Sequence, residues 1–234
     1  MVDWNDNFVK TLIYFIYGTS FIIMFVALTL WKERVGHIEL MKDFEYLAVF
    51  SLLHGFAVYS DVPRFIGIQP ALIFDLIKLV LVTCSFAALL SFGLNVLSAG
   101  IEERRWIRGI PIGALLMFFP LLYFTGLSFT NTGDGINYKS ADLAQSYILG
   151  FFGALVSTYA FIDLSRKIKS IIGEKASKKF IFAACAFGLY TVFAGLIMTP
   201  LFGVPIVVFR TITAILMTHA VLGIFQMFEV EHTV

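Results

Sequence analysis

Charged residues are scarce in this sequence, and their scarcity argues against a soluble fold. Of the 234 residues, 14% are charged and 59% are hydrophobic, whereas a soluble globular domain carries about 25% charged residues. The net charge is +1 at pH 7, and no basic run is present, so no nucleic-acid partner is expected. The lipid bilayer is therefore the expected environment of the chain.

Cysteines are almost absent too, and the common catalytic motifs are missing. Only Cys84 and Cys185 occur; both lie in apolar stretches, so neither a disulfide nor a thiolate metal site is expected. The sequence has no HExxH, GxSxG or Walker-type glycine loop, and its last apolar segment has no lysine to hold retinal. We therefore expect no enzyme activity. Asp3 and Asp6 stand where a signal peptide would be positively charged, so the first apolar segment is expected to be retained.

Long apolar runs are what the sequence has instead. A helix needs about 20 apolar residues to cross the hydrocarbon core of a membrane, and seven segments are close to that length. They are residues 8–31, 44–62, 70–98, 107–127, 142–164, 178–199 and 203–228. No internal repeat or Gly/Ser-rich linker divides them. The sequence thus predicts an all-α fold, a seven-helix bundle that forms one integral membrane domain over residues 1–234.

The basic residues between these segments predict the orientation. The connections after the first, third and fifth segments contain most of the Lys and Arg residues, whereas the opposite side has only Lys10, Arg64 and Lys139. Because positively charged loops stay in the cytoplasm, the N-terminus is expected outside and the C-terminus inside. The expected location is the inner (cytoplasmic) membrane, which the chain would cross several times.

Two histidines within the apolar segments predict a metal site, because ionisable groups in a membrane are costly and often functional. His54 and His219 are each expected about 14–15 Å from the inner boundary, at a helical rise of 1.5 Å per residue. Two imidazoles at one depth suggest axial ligands of a b-type haem between the second and seventh helices. Gly55 and Gly223 would then leave room for the macrocycle. The alternative is that each histidine hydrogen-bonds a neighbouring helix in a structural or proton-handling role.

A second set of ionisable residues is expected nearer the outer surface. It consists of Asp61, Arg64, Asp75, Lys78 and Arg210. Asp75 and Lys78 are three residues apart and can pair on one helix face. The set is predicted to bind an anionic ligand or haem propionates, or else to form interhelical ion pairs. Arg210 lies nine residues before His219, so an ideal helix directs these two side chains oppositely.

Two segments carry a resemblance to a known group of proteins. Residues 45–61, EYLAVFSLLHGFAVYSD, resemble the second helix of seven-helix sensor modules that precede bacterial histidine kinases and diguanylate cyclases. Residues 209–231, FRTITAILMTHAVLGIFQMFEVE, resemble the last helix of those modules. The matching positions are His54, Gly55, Asp61 and Arg210. The resemblance implies a sensory module that relays a signal through its seventh helix to a cytoplasmic output domain or kinase.

Other functions and partners remain open at this stage. The first alternative is a membrane cytochrome b that transfers electrons, although such transfer across a bilayer usually uses two haems and four intramembrane histidines. The second is a small-solute transporter, although the internal repeats and broken helices of many transporters are not evident. A homodimer is a further arrangement to consider.

Overall fold

The computed structural model describes residues 3–4, 6–35, 42–68, 72–99, 102–124, 131–132, 135–136 and 144–231. Within these residues the chain is almost entirely helical, which confirms the predicted all-α class, and seven helices have 15 residues or more. They are α1 (Asn7–Val35), α2 (Phe44–Tyr59), α3 (Leu72–Ser98), α4 (Ile110–Phe124), α5 (Phe151–Ile171), α6 (Glu174–Tyr190) and α7 (Ile206–Glu231). Two short strands, β1 (Asn131–Thr132) and β2 (Gly135–Ile136), pair antiparallel between α4 and α5.

Five of the described helices are long and apolar enough to cross a membrane. These are α1, α3, α5, α6 and α7, and the spans at α5 and α6 each include a π-helical turn, Ser146–Gly150 before α5 and Thr191–Leu196 after α6. α2 and α4 are shorter, with 16 and 15 residues. α2 ends at Tyr59 and is followed by the single helical turn Val62–Phe65. Each predicted apolar segment thus coincides with a helix, whereas the number and direction of membrane crossings stay predictions.

Six of these helices form a closed ring. Each packs on the next in the order α1, α2, α3, α5, α6, α7 and back to α1, while α4 lies outside the ring and packs chiefly on α3. α3 and α5 run parallel, since Phe86 of α3 approaches Gly150, just before α5, and Gly93 of α3 approaches Ser157 of α5. α1 and α7 also run parallel, and the other neighbours in the ring are antiparallel.

Aromatic side chains fill the interior of the ring. The fully buried phenylalanines contact one another across the helices, with ring-centroid distances of 5.4 Å for Phe21–Phe50, 5.1 Å for Phe92–Phe161 and 4.8 Å for Phe161–Phe187. Lipid tails are as apolar as these side chains, so close packing rather than transfer from water holds helices together in a bilayer. The interlocked rings supply this close packing in the interior, while other phenylalanines, such as Phe56 and Phe152, are exposed on the outside of the bundle.

Small residues bring α3 and α5 into direct contact. A β-carbon at Gly93 would lie 2.8 Å from the backbone nitrogen of Ser157, a distance that only glycine permits. The Ser157 hydroxyl donates to the Leu89 carbonyl of α3 at 2.9 Å. Close backbone approach and an interhelical hydrogen bond of this kind are the usual means of joining membrane helices.

The connection between α6 and α7 is a tight turn. Leu201 and Val204 exchange two backbone hydrogen bonds of 3.0 and 2.9 Å. Between them, Phe202 and Gly203 have φ angles of 52° and 76°, in the left-handed region that glycine adopts without strain. The turn places the first residues of α7 beside the π-helical end of α6, where the candidate site is found.

Candidate ligand-binding cavity

His54 lies inside the ring and joins four helices. It is 5% exposed, and both of its ring nitrogens are engaged. Nδ1 lies 3.0 Å from Ser85 Oγ of α3, while Nε2 lies 2.9 Å from the Tyr190 hydroxyl of α6 and 3.3 Å from the Tyr17 hydroxyl of α1. Three rings cover the imidazole: those of Phe21, Phe50 and Phe86. We call His54, Ser85, Tyr17 and Tyr190 the histidine network.

The direction of each hydrogen bond in the histidine network follows from the donors available. The Ser85 hydroxyl has one hydrogen, and its shortest contact, 2.7 Å, is to the Val82 carbonyl, which can only accept. Ser85 Oγ therefore accepts from His54 Nδ1–H, which leaves Nε2 as the acceptor. Tyr190, the nearer phenol, donates to Nε2, and Tyr17 shares a hydrogen bond with Tyr190. His54 is thus assigned as a neutral imidazole with its proton on Nδ1.

A polar cavity extends from the histidine network to Asp61, which lies seven residues after His54, between the end of α2 and the Val62–Phe65 turn. Its volume is about 120 Å³, which is space for several water molecules or one small ligand. Among the described residues, five ring helices (α1, α2, α3, α6 and α7) and both π-helical turns line it, with polar groups at both ends and small apolar side chains between. The lining includes Tyr17, His54, Asp61, Lys78, Ala194 and Arg210.

Two ion pairs join α2 and its following turn to α3 at the Asp61 end of this cavity. Lys78 Nζ contacts both carboxylate oxygens of Asp61, at 2.8 and 2.9 Å, and Arg64 pairs with Asp75. The predicted pairing of Asp75 with Lys78 within α3 was wrong, because the antiparallel crossing of α2 and α3 brings a partner from the other element to each. The alternative expectation of interhelical ion pairs describes these four residues.

Arg210 differs from these four residues because its contacts are all neutral. Its Nε donates to the Phe193 carbonyl at 2.8 Å, and its Nη2 lies 2.9 Å from Met198 Sδ. Among the described residues no carboxylate lies within ion-pair distance of the guanidinium. Arg210 is half-buried and lines the cavity that His54 also lines, so the structure brings these two predicted site residues together.

The π-helical turn at the end of α6 explains the position of Arg210. In this turn the Ile197 amide donates to the Val192 carbonyl at 2.9 Å, one residue further back than in an α-helix. The chain then leaves the helix, with ψ of 112° at Ile197. The Phe193 carbonyl consequently receives the Arg210 guanidinium, and the start of α7 is fixed against α6.

His219 lies away from the histidine network. It is exposed on α7 and its ring contacts Phe182 of α6, at a centroid distance of 6.0 Å. On α7 the preceding residue, Thr218, donates to the Ser20 carbonyl of α1, next to Phe21, whose ring contacts the imidazole of His54. The helix face separates the two histidines, because His54 is buried inside the ring and His219 is exposed on α7. The structure does not bring these two predicted metal ligands together, and their matching depth stays a prediction.

The glycines beside the histidines do not face a shared space. A β-carbon at Gly55 would meet Ile22 of α1 at 2.9 Å and the Gly18 carbonyl at 3.2 Å, so this glycine permits close packing of α1 on α2. The nearest neighbour of Gly223 is Lys179, at 3.5 Å. Neither position supports the expected approach of a flat macrocycle.

The surroundings of the histidines do not fit a bis-histidine haem. Both nitrogens of His54 are hydrogen-bonded and His219 is on the outer face, so no pair of free imidazoles faces a common cavity. In the part of the chain that the structure describes, no group of three or more His, Cys, Asp or Glu residues is arranged to hold a metal ion. Haem binding stays a prediction of the sequence.

Comparison with known proteins identifies no relative of the chain. The chain matches no known protein family, no curated protein and no solved structure. The resemblance of α2 and α7 to bacterial sensor modules therefore stays a prediction, and the case for function depends on the cavity.

The cavity residues that were not predicted from the sequence include three polar ones, Tyr17, Tyr190 and Ser146. Tyr17 and Tyr190 are 5% and 0% exposed, and a buried phenol needs a hydrogen-bond partner. A tyrosine near the middle of an apolar segment was thus an available signal. The prediction considered ionisable groups alone, and a phenol does not count as charged at pH 7.

Proposed function

We propose that the chain is a sensory module of the inner (cytoplasmic) membrane that binds a small ligand in the cavity and relays its presence through α7. In this proposal all seven helices cross the membrane, with the N-terminus outside. The distribution of Lys and Arg supports this orientation. The shorter helices α2 and α4 would complete their crossings with the turns that adjoin them, Val62–Phe65 after α2 and Glu102–Gly109 before α4.

A single observation carries the proposal: α7 contributes a half-buried charge to the cavity and continues without a break to the other end of the bundle. Arg210 lies near its start, and the helix ends at Glu231. These 21 residues span about 32 Å at the rise of an α-helix. A ligand that contacts Arg210 changes the forces on a rigid element whose far end lies on the predicted cytoplasmic side. Helix shifts of about 1–2 Å are a common form of such a relay.

The resemblance of α2 and α7 to sensor modules supports the same function. In the proposal, the end of α7 acts on a cytoplasmic output domain or kinase. A signalling ligand must bind one conformation of the protein more tightly than the other. In the proposal the contact that makes this difference is at Arg210, because this cation has only neutral partners among the described residues before a ligand binds.

The relay is tested by changing the cavity and measuring the far end of α7. Spin labels are placed at Ile171 and Gln226, both exposed, in a background in which Cys84 and Cys185 are alanine. The test variant is Ala194→Leu, which adds three carbons to a buried cavity-lining position. The protein is reconstituted in nanodiscs, and the distance between the labels is measured by double electron–electron resonance.

The matched control enlarges an outward-facing position within the same candidate membrane span, Glu174–Leu196. Cys185 is exposed on α6, and Cys185→Leu makes the same increase in size over the alanine background. We expect Ala194→Leu to shift the label distance by about 1–2 Å and Cys185→Leu to leave it unchanged. A well-folded Ala194→Leu protein with the distance of the control would reject the relay.

A further inference from the structure

The charges around the cavity leave one positive charge uncompensated. Among the residues that the structure describes, three groups that are charged at neutral pH line it: Asp61, Lys78 and Arg210. Asp61 and Lys78 neutralise one another through two contacts of 2.8 and 2.9 Å. The histidine network holds His54 neutral. Arg210 therefore gives the cavity a net charge of about +1, and the partial burial of the guanidinium strengthens its attraction for an anion.

The guanidinium also retains hydrogen-bond donors. Arginine has five N–H groups in a planar fork. Arg210 donates one to the Phe193 carbonyl and one towards Met198 Sδ, and sulfur is a weak acceptor. Three N–H groups remain, and a thioether contact is readily replaced by a charged oxygen. Parallel N–H groups of this kind match the two oxygens of a carboxylate.

The size and lining of the cavity restrict the anion. A volume of about 120 Å³ is slightly below that of an engineered cavity of about 150 Å³ that binds benzene, so a ligand has roughly six non-hydrogen atoms or fewer. Ala57, Val58, Val82, Ala194 and Val207 provide an apolar wall, which suits a short alkyl chain. A single uncompensated cation favours one negative charge over two.

We propose that the cavity binds a short-chain monocarboxylate, with its carboxylate on the Arg210 guanidinium and its alkyl chain against the alanine and valine wall. This proposal rests on the proposed function, in that it names the ligand class of the same cavity. The ion pair between Asp61 and Lys78 stays intact when the ligand binds and forms the end wall of the site.

The proposal is tested by thermal unfolding of the full chain in nanodiscs of zwitterionic lipid, which avoids anionic headgroups. Sodium acetate, propionate and butyrate are titrated at constant ionic strength. Sodium chloride and phosphate test inorganic anions, and propionamide is the neutral isostere of propionate. We expect a saturable rise in the unfolding midpoint of about 4 °C at ten times the dissociation constant for at least one carboxylate. Equal stabilisation by propionamide, chloride or phosphate would overturn the proposal, as would no shift with any carboxylate.

Variants assign the binding to Arg210. Arg210→Gln is expected to weaken carboxylate binding about 10- to 100-fold, because a charge-assisted hydrogen bond is lost. Arg210→Lys keeps the positive charge but lacks the planar fork of N–H groups. Its affinity for the carboxylate is expected to lie between those of the unmodified protein and Arg210→Gln. Lys178→Gln, which removes an exposed cation paired with Glu174, is the control and should bind as the unmodified protein does. Unchanged affinity in both Arg210 variants contradicts the assignment.

Further comparisons distinguish a failure of this proposal from a failure of the relay and from misfolding of a variant. If Arg210→Gln does not fold, Ala194→Leu tests the same site by filling it, and retained binding in that variant counts against the proposal. If no carboxylate binds but Ala194→Leu still moves α7, the ligand class is wrong and the relay stands. If a carboxylate binds and the spin-label distance does not respond to Ala194→Leu, the site stands and the relay is wrong.

Discussion

Removing one phenol at a time from the histidine network tests the direction of its hydrogen bonds. Because Ser85 donates to the Val82 carbonyl, Nε2 of His54 has one lone pair to receive one O–H. Tyr190 lies at 2.9 Å from this nitrogen and Tyr17 at 3.3 Å. Tyr190→Phe therefore removes the hydrogen-bond donor to a buried acceptor, the Nε2 atom of His54. Tyr17→Phe instead removes the hydrogen bond between Tyr17 and Tyr190.

The two variants should differ in stability. Hydrogen bonds between membrane helices contribute about 0.6 kcal/mol on average and up to about 1.7 kcal/mol, and an unsatisfied buried acceptor costs about 1–3 kcal/mol. We expect Tyr190→Phe to cost about 1–2 kcal/mol, since Tyr17 can only partly replace the lost donor, and Tyr17→Phe to cost about 0.5 kcal/mol. Unfolding by SDS in mixed micelles, followed by circular dichroism, measures the difference.

Nitrogen-15 NMR of histidine-labelled protein checks the same reasoning independently. The spectrum should show His54 as a neutral imidazole with its proton on Nδ1, and a His54→Gln spectrum assigns the signals. A proton on Nε2, or a larger loss of stability in Tyr17→Phe than in Tyr190→Phe, would refute the assigned directions.

Two predictions concern positions outside the network. Gly195→Ala should destabilise the protein by about 1–3 kcal/mol in the same SDS titration, because the added carbon would lie 2.8 Å from Phe151 Cα; Gly188→Ala, with its nearest contact at 3.6 Å, is the control and should be neutral or slightly stabilising. At Asp43, burial raises the pKa of the carboxyl above its ordinary value, against a smaller lowering by Arg108. The folded state thus holds this proton more tightly, so stability falls as pH rises from the unfolded-state pKa through the raised one. Asp43→Asn should remove this fall and be at least as stable as the unmodified protein at pH 7; a less stable variant at pH 7 contradicts the sign.

The sequence predicts the helices well because an apolar run of membrane-spanning length has few other solutions. All seven expected segments coincide with helices, including the short segment that ends near Pro63. The ends are less predictable: α5 continues to Ile171, beyond the predicted residue 164. Polar residues at a helix end do not stop the helix in water, so hydropathy marks the apolar part rather than the last helical residue.

The site was predictable only in part, because facing side chains depend on how the helices cross. His54, Asp61, Lys78 and Arg210 were selected as candidates because ionisable groups are costly in an apolar segment, and all four line one cavity. The structure does not bring His54 and His219 together, because His219 is on the exposed face of α7, and the face that a helix turns towards its neighbours has no clear signal in this single sequence.

The arrangement of the ring has an electrical consequence of its own. Because α3 and α5 are parallel neighbours, as are α1 and α7, four ring helices begin at the Asp61 end and only two end there. Each helix start carries about half a positive charge and each helix end about half a negative one. The peptide dipoles of the ring therefore do not cancel but leave about one unit of positive charge at the end where the cavity lies. The backbone itself makes this end of the bundle attractive to anions, and substitution of Arg210 would leave that contribution in place.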